Sequence, residues 1–164
     1  MSKKIWINAG EVSGDLHGAM LVEAIKKQLP DARFMGMAGE AMREAGVKDI
    51  AQVEELSVMG VTEVLAKLFE IMALLKRLKK ALAKEKPDVI VLIDAPSFNF
   101  KLAKAARALG IPVAYYISPK VWASRPGRSR FLKEYVDKLI CIFPFEPEFL
   151  AKYGVKTEYV GHPL

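Results

Sequence analysis

Residues 86–99 read KPDVIVLIDAPSFN, and within them Val89–Ile93 (VIVLI) is an uninterrupted apolar run. A strand with one solvated face alternates apolar and polar residues. A run without alternation is typical of a strand that is buried on both faces, as in parallel sheets covered by helices. This stretch therefore indicates an α/β fold.

Strand-like and helix-like segments alternate on both sides of that run. We expect further strands at 4–8, 33–37, 113–117, 138–143 and 158–160, and a weaker extended segment at 50–56. Helical spacing and helix-ending signals predict helices at 15–29, 40–45, 62–84, 98–109, 127–135 and 147–153. The alternation predicts a doubly wound parallel sheet with right-handed crossovers, in a single domain over residues 1–164.

The composition excludes several classes of protein. With 52% hydrophobic residues and a net charge of +6 (25 Lys+Arg, 19 Asp+Glu), the chain is not disordered. Its one cysteine, Cys141, excludes an internal disulfide, and one cysteine with two histidines is too few for a structural zinc site. The sequence shows neither a signal peptide nor a transmembrane helix, so we expect a cytoplasmic protein. Because it stops directly after a predicted strand, we expect a longer protein.

Unusual residues follow the predicted strands, where ligands bind in open α/β sheets. The loops are GEVSGD at 10–15, DAPSFN at 94–99, SPKVWASRPGR at 118–128, and the segments 144–147 and 161–163. In the first loop, Gly10 and Gly14 permit tight turns. Glu11 and Asp15 suit sugar hydroxyls or an amine rather than a phosphate. The alternative is that Ser13 or Asp15 caps the following helix.

Asp94 ends the buried strand, where desolvation would raise its pKa toward that of a general base. The alternative is an Asx-turn within the loop. Trp122, with Arg125 and Arg128, could stack a ring and hold a phosphate, or could pack over the sheet edge beside solvated arginines. His162 could be an acid, a base or a ligand, or only a solvated side chain.

The long predicted helix has more apolar surface than one core-facing stripe requires. Leu65, Phe69 and Met72 are surplus, and a basic cluster follows that includes Lys76, Lys79 and Lys80. This combination suits an anionic membrane surface or a lipid substrate. The alternative is burial on two sides by the fold or by a partner domain. Basic residues beside leucines on one helix do not indicate nucleic-acid binding.

Five segments together carry a family resemblance. They are GEVSGD at 10–15, VEELSVMGVTEVL at 53–65, the stretch at 86–99, YISPKVWASRPGR at 116–128, and FPFEPEFLAKYGV with YVGHPL at 143–164. In order and combination they resemble the N-terminal half of the lipid-A-disaccharide synthase family. That family consists of GT-B glycosyltransferases with two Rossmann-like domains, so the resemblance implies a C-terminal donor-binding domain that this chain lacks.

The resemblance also implies an activity. The family transfers 2,3-diacylglucosamine from UDP-2,3-diacylglucosamine to 2,3-diacylglucosamine 1-phosphate, forming a β-1,6 link with inversion, without a metal or cofactor, at the inner membrane. Asp94 matches the essential carboxylate, as the general base. The resemblance places an acceptor cleft at Gly10, Glu11, Ser13, Gly14, Asp15, Asn99, Ser118, Trp122, Arg125 and Arg128. The isolated half is expected to be inactive. The alternative is a stand-alone Rossmann-like module or half of another GT-B sugar-nucleotide enzyme, although the first loop lacks a GGTGGH-type motif.

Overall fold

A seven-stranded parallel sheet forms the centre of the computed structural model, which describes residues 2–57, 64–117 and 127–162. The strand order is β3-β2-β1-β4-β5-β6-β7, and every neighbouring pair is parallel. The predicted doubly wound α/β class is therefore confirmed. The strands are β1 Lys4–Ala9, β2 Arg33–Ala38, β3 Lys48–Gln52, β4 Val89–Ile93, β5 Val113–Tyr116, β6 Lys138–Cys141 and β7 Thr157–Tyr159.

Helices cover both faces of this sheet. They are α1 Val12–Gln28, α2 Glu40–Glu44, α3 Val53–Ser57, α4 Val64–Glu85, α5 Pro96–Ala108, α6 Gly127–Tyr135 and α7 Glu146–Ala151. Helix α1 packs on α2, and α5 packs on both α4 and α6. Right-handed crossovers from strands that wind outward in opposite directions place these two groups on opposite faces.

The apolar run at 89–93 is the central strand, as its sequence predicts. Ile90, Leu92 and Ile93 of β4 have no exposed surface, and β1 and β5 pair with it on either side. The buried apolar residues form one continuous core around this strand.

The weak extended segment expected at 50–56 is only partly correct. Strand β3 ends at Gln52, and residues 53–57 form α3. The carboxylate of Glu55 accepts a hydrogen bond from the backbone N–H of Gln52 at 2.7 Å, which is one half of a capping box. That local bond stabilises a helix start within a sequence whose apolar residues also suit a strand.

Two helices begin two or more residues earlier than expected. Helix α1 starts at Val12, after Glu11, and so includes most of the GEVSGD loop. Helix α5 starts at Pro96 in its first turn, where the missing N–H of proline has no cost. Both shifts bring helix N-termini close to the carboxyl ends of β1 and β4.

The winding direction reverses between β1 and β4. From β1 the chain proceeds outward to β2 and β3, and from β4 it proceeds the other way to β5, β6 and β7. In doubly wound sheets the crevice at such a reversal is the usual ligand site. The loops after β1 and β4 are therefore the first place to look for function.

Candidate functional site

The loops after β1 and β4 lie in direct contact at the reversal point. A Cβ atom added at Gly10 would collide with the Cβ of Ala95. One added at Gly14 would lie 2.9 Å from Oδ2 of Asp94. The glycines in the first loop thus permit close approach, and they place the Asp94 carboxylate against the first turn of α1.

Asp94 has a positive φ, a backbone conformation that residues other than glycine seldom adopt. Its φ is 57° and that of Ala95 is 42°, so both occupy the left-handed region. Such residues cost about 1–3 kcal/mol each and persist where the surroundings hold them. Here the hydroxyl of Tyr115 and the side-chain amide of Asn99 both donate to the Asp94 carbonyl, at 2.6 and 2.8 Å. The turn that carries the carboxylate is therefore fixed by tertiary hydrogen bonds.

Asn99 belongs to a buried polar network that begins in β1. Its Oδ1 accepts from Nδ2 of Asn8 at 2.9 Å, and its Nδ2 also donates to the carbonyl of Ile93. Oδ1 of Asn8 accepts from the indole N–H of Trp6 and from the backbone N–H of Met37. Asn8 and Asn99 have no exposed surface. Asn99, predicted to line the cleft, thus lies beneath it and supports the Asp94 turn.

Three charged groups influence the pKa of the buried Tyr115 hydroxyl. Burial raises the pKa of Tyr115 far above its ordinary value, and the nearby Asp94 carboxylate raises the pKa further. Glu11 acts in the same direction on that pKa and Arg128 in the opposite one. Three of the predicted site residues, Asp94, Glu11 and Arg128, are therefore close enough to act on one hydroxyl. Glu11 and Ser13 are exposed at the start of α1.

Arg128 lies at the start of α6, beside the Asp94 loop. Its Nη2 donates to Oγ of Ser97 at 3.1 Å, and its guanidinium lies 5.9 Å from the ring centre of Phe100. The structure thus joins the loop after β4 to the first turn of α6. The predicted contacts Ser118, Trp122 and Arg125 lie outside the described residues.

Asp15 has a different environment. Only 5% of its surface is exposed, and its carboxylate accepts three backbone N–H bonds, from Gly39 at 2.8 Å and from Ala41 and Met42 at 3.0 Å. These amides belong to the start of α2. The geometry favours the capping alternative, but the capped helix is α2 rather than α1. The carboxylate also lines a separate recess of about 380 Å³ between α1 and α2.

Two further features of the same edge come from the loops after β6 and β7. Glu146 is buried and accepts from the backbone N–H of Phe143 at 3.1 Å. The ring of Phe143 lies 5.7 Å from that of His162, which is exposed. This exposure favours the alternative of a solvated side chain for His162. Within residues 2–57, 64–117 and 127–162, no cluster of three or more His, Cys, Asp or Glu side chains could hold a metal ion.

Helix α4 has a large exposed apolar surface at its N-terminal end. Leu65 and Phe69 are 71% and 69% exposed, and Met72 is 54% exposed. Lys76, Lys79 and Lys80 are exposed farther along. Among the described residues, the fold itself does not bury this surface. None of the helices described here is long and apolar enough to cross a membrane.

Sequence reasoning missed Tyr115 and Asn8. Both are buried polar residues on strands whose other members are mostly apolar, and both bind the structure around the Asp94 turn. A single asparagine within the apolar segment KIWINA was the available signal for Asn8. Tyr115 had no such signal, since tyrosine is common in strands.

Comparison with known proteins gives a consistent result. The family model "Lipid-A-disaccharide synthetase" matches residues 5–164. A lipid-A-disaccharide synthase of Myxococcus xanthus is 48% identical over 161 residues, which are 98% of this chain and 42% of the relative. One of Geobacter sulfurreducens is 45% identical over 99% of this chain and 42% of the relative. The chain thus spans less than half the length of these relatives.

Solved structures show the same fold at low sequence identity. A UDP-GlcNAc 2-epimerase of Neisseria meningitidis, bound to UDP-GlcNAc, has a TM-score of 0.68 at 14% identity, over 97% of this chain and 46% of that one. MurG of Acinetobacter baumannii has a TM-score of 0.56 at 17% identity, over 87% of this chain and 42% of that one. The shared fold is that of the N-terminal domain of a GT-B protein.

Proposed function

Because the chain belongs to the lipid-A-disaccharide synthetase family, we propose that it is the acceptor-binding domain of a lipid A glycosyltransferase. The observation that carries this proposal is the family match over residues 5–164. The complete enzyme would transfer 2,3-diacylglucosamine from UDP-2,3-diacylglucosamine to 2,3-diacylglucosamine 1-phosphate. Residues 1–164 would form one domain, and a C-terminal domain would supply most contacts to UDP.

Asp94 is the proposed general base. The acceptor 6-hydroxyl oxygen forms a bond to the anomeric carbon of the donor while the proton of that hydroxyl moves to the Asp94 carboxylate. The bond from the anomeric carbon to the UDP oxygen breaks, and UDP leaves with the electron pair. The fixed position of the Asp94 turn supports this role, because Tyr115 and Asn99 hold its backbone. Positioning a base in advance lowers the entropic part of the barrier.

The remaining site residues would bind the acceptor. Arg128, with Arg125, would hold the 1-phosphate, since a guanidinium suits a phosphate in charge and geometry. Glu11 and Ser13 would bind sugar hydroxyls at the start of α1, where Gly10 and Gly14 keep the loop against Asp94. Ser118 and Trp122 complete the predicted contacts. The buried Asp15 and Asn99 would act indirectly, Asp15 by capping α2 and Asn99 by holding the Asp94 turn.

We further propose that the protein binds the cytoplasmic surface of the inner membrane without spanning it. The exposed apolar residues of α4 and the lysines that follow support this location. Apolar insertion and attraction to anionic lipids reinforce each other on such a helix. The basic residues would then serve a lipid surface and not a nucleic acid.

The transferase proposal is tested with a fusion. This chain, followed by the C-terminal part of the Myxococcus xanthus relative, is assayed for UDP release from UDP-2,3-diacylglucosamine with and without 2,3-diacylglucosamine 1-phosphate. We expect acceptor-dependent transfer by the fusion and none by the 164-residue chain alone. Asp94→Asn in the fusion should reduce turnover at least a hundredfold, as expected for a lost general base.

Asp88→Asn is the matched control for that variant. Asp88 lies at the other end of β4, where its carboxylate accepts from the backbone N–H of Lys4 at 2.8 Å. We expect Asp88→Asn to retain turnover. Near-normal turnover of folded Asp94→Asn would remove Asp94 from the role of base, and a fusion that folds but transfers nothing would contradict the proposed function.

A further inference from the structure

A second cavity lies on the other side of the Asp94 loop, between α3, α4 and α5. Its volume is about 280 Å³. Most of its wall is apolar, and its lining includes Leu56 of α3, Ile71 of α4, and Pro96 and Phe98 of α5. Lys101, an exposed residue of α5, also lines it. Among the described residues the wall is thus apolar with one cation, which suits a hydrocarbon group attached to an anionic or polar head.

This cavity reaches the turn that carries the proposed base. Ala95, the residue after Asp94, is part of its wall. Both residues have left-handed φ angles, and the second of them is part of the cavity wall. A ligand with its sugar at Asp94 could therefore place a substituent into the cavity.

The helical spacing of α4 places its exposed apolar surface beside the cavity. Leu68 is one helical turn before Ile71, on the same face of α4, and is 50% exposed. Helix α4 ends at Glu85, whose carbonyl accepts from Nζ of Lys4 at the start of β1, so its N-terminal turns point toward the carboxyl edge of the parallel sheet. On the helix surface, Leu68 thus lies between the cavity-lining Ile71 and the exposed apolar residues Phe69 and Met72.

We propose that this cavity binds the proximal part of an acyl chain of the acylated glucosamine 1-phosphate acceptor. The proposal rests on the function proposed above and assigns a site for the lipid part of that substrate. A volume of about 280 Å³ is at the small end of ligand pockets, so it holds only the part of the chain nearest the sugar. The rest of the chain would follow Leu68 toward the exposed surface of α4.

A nucleotide base fits this cavity less well. A base requires several fixed hydrogen-bonding partners, and a mostly apolar wall would leave its polar edge unpaired. An acyl chain requires none. Lys101, in the wall, would supply a positive charge for a phosphate or a sugar oxygen of the same ligand.

The first test compares soluble ligands that differ only in chain length. The 164-residue chain is titrated with N-butanoyl- and N-octanoylglucosamine 1-phosphate while amide NMR shifts are recorded. Affinity should increase about fourfold for each methylene that the cavity buries. The octanoyl compound should shift the amides of Leu56, Ile71 and Phe98, and both compounds should shift those of Glu11 and Asp94.

Two variants block the cavity and one serves as control. Ile71→Trp fills it from α4, and Leu56→Trp fills it from α3. Ala73→Trp places the same side chain at an exposed position of α4, two residues from Ile71 and on the opposite side of the helix. Each blocking variant should abolish the preference for the octanoyl over the butanoyl compound, and Ala73→Trp should keep it.

The outcomes separate this proposal from the transferase proposal. Equal affinities for the two compounds, or a preference that survives both blocking variants, would overturn the cavity assignment while leaving transfer by the fusion unaffected. The absence of binding by either compound would overturn the assignment as well. The transferase proposal fails only in the fusion assay, which does not depend on chain length.

Discussion

The Asp15 carboxylate has two possible roles, helix cap or ligand contact, and these predict different effects of substitution. The sequence allowed either a ligand contact or a cap, and the structure gives the carboxylate three backbone partners at the start of α2. Helix α2 begins after Gly39, which has no side chain with which to cap it. We therefore expect Asp15→Ala to reduce stability and to leave little effect on ligand binding by the folded protein.

The expected magnitude follows from the bonds that are lost. Each buried donor left without a partner costs about 1–3 kcal/mol, and bonds to a charged acceptor are at the upper end. The amides of Gly39 and Met42 are buried and that of Ala41 is partly solvated. Asp15→Ala should therefore cost about 4 kcal/mol, a large share of the ~5–15 kcal/mol of a typical domain. The melting temperature should fall by roughly 8–16 °C for a chain of this length.

Gly39 permits an independent measurement of the same interaction. A Cβ at Gly39 would lie 2.5 Å from Cγ and from Oδ2 of Asp15, while its φ of −97° suits any residue. Gly39→Ala should therefore act by displacing the carboxylate. Once Asp15 is alanine the added methyl no longer meets the carboxylate, so Gly39→Ala should cost little in that background.

The assay is urea unfolding of the two single variants, the double variant and Asp31→Ala, a control at an exposed aspartate. We expect a coupling free energy of about 1–3 kcal/mol between positions 15 and 39, and less than ~0.5 kcal/mol for the control. Additive effects, or a cost below about 1 kcal/mol for Asp15→Ala, would refute the capping argument. Loss of acceptor binding without loss of stability would restore the interpretation of Asp15 as a ligand contact.

Two further predictions concern the alkaline stability of the fold and the surface of α4. Burial and the Asp94 charge raise the pKa of Tyr115, so the folded state keeps a proton that the unfolded chain loses near pH 10. This contribution is complete below about pH 10 and decreases by about 1.4 kcal/mol per pH unit above it. The free energy of unfolding, measured with denaturant at pH values on both sides of pH 10, should therefore fall less steeply with pH for Tyr115→Phe than for the unsubstituted protein. An equal dependence on pH would contradict this origin. For α4, the double variant Phe69→Gln and Met72→Gln should reduce sedimentation with anionic vesicles at least tenfold. The control is the double variant Val12→Gln and Leu16→Gln, at exposed apolar residues of α1, which should sediment with the vesicles as before. Equal losses in the two double variants would argue against a specific membrane face on α4.

The fold was largely predictable because its signals are local. An apolar run identifies the strand at 89–93. The end of the helix predicted at 98–109 is marked by Gly110 and by Pro112 two residues later. Each of these signals is read from neighbouring residues. The error at 50–56 also has a local cause. The hydrogen bond from the backbone N–H of Gln52 to the carboxylate of Glu55 favours a helix start in a segment whose apolar residues also suit a strand. A capping box is readable from sequence, although here Gln52 stands in place of the usual serine or threonine.

The proximity of the candidate residues was predictable, but the side chains that support them were not. The rule that ligands bind at strand carboxyl ends placed Asp94, Glu11 and Arg128 together. The partners of Asn99 and Asp15 are remote in sequence, 91 residues away for Asn8 and 24 for Gly39. Such pairs depend on how whole elements are placed relative to one another, and that placement cannot be inferred from local patterns in one sequence.

Asn8 also affects the register of β1 within the sheet. A strand covered on both faces has apolar side chains on each side, so its hydrophobic pattern alone would tolerate a slip by one residue. In β1, a slip would bring Ile7 or Ala9 to the place of Asn8 and leave Oδ1 of Asn99 and the N–H of Met37 without these bonds, at about 1–3 kcal/mol each. One amide thus favours the observed register of β1 against β2 and its contact with α5, the helix whose Asn99 holds the Asp94 turn.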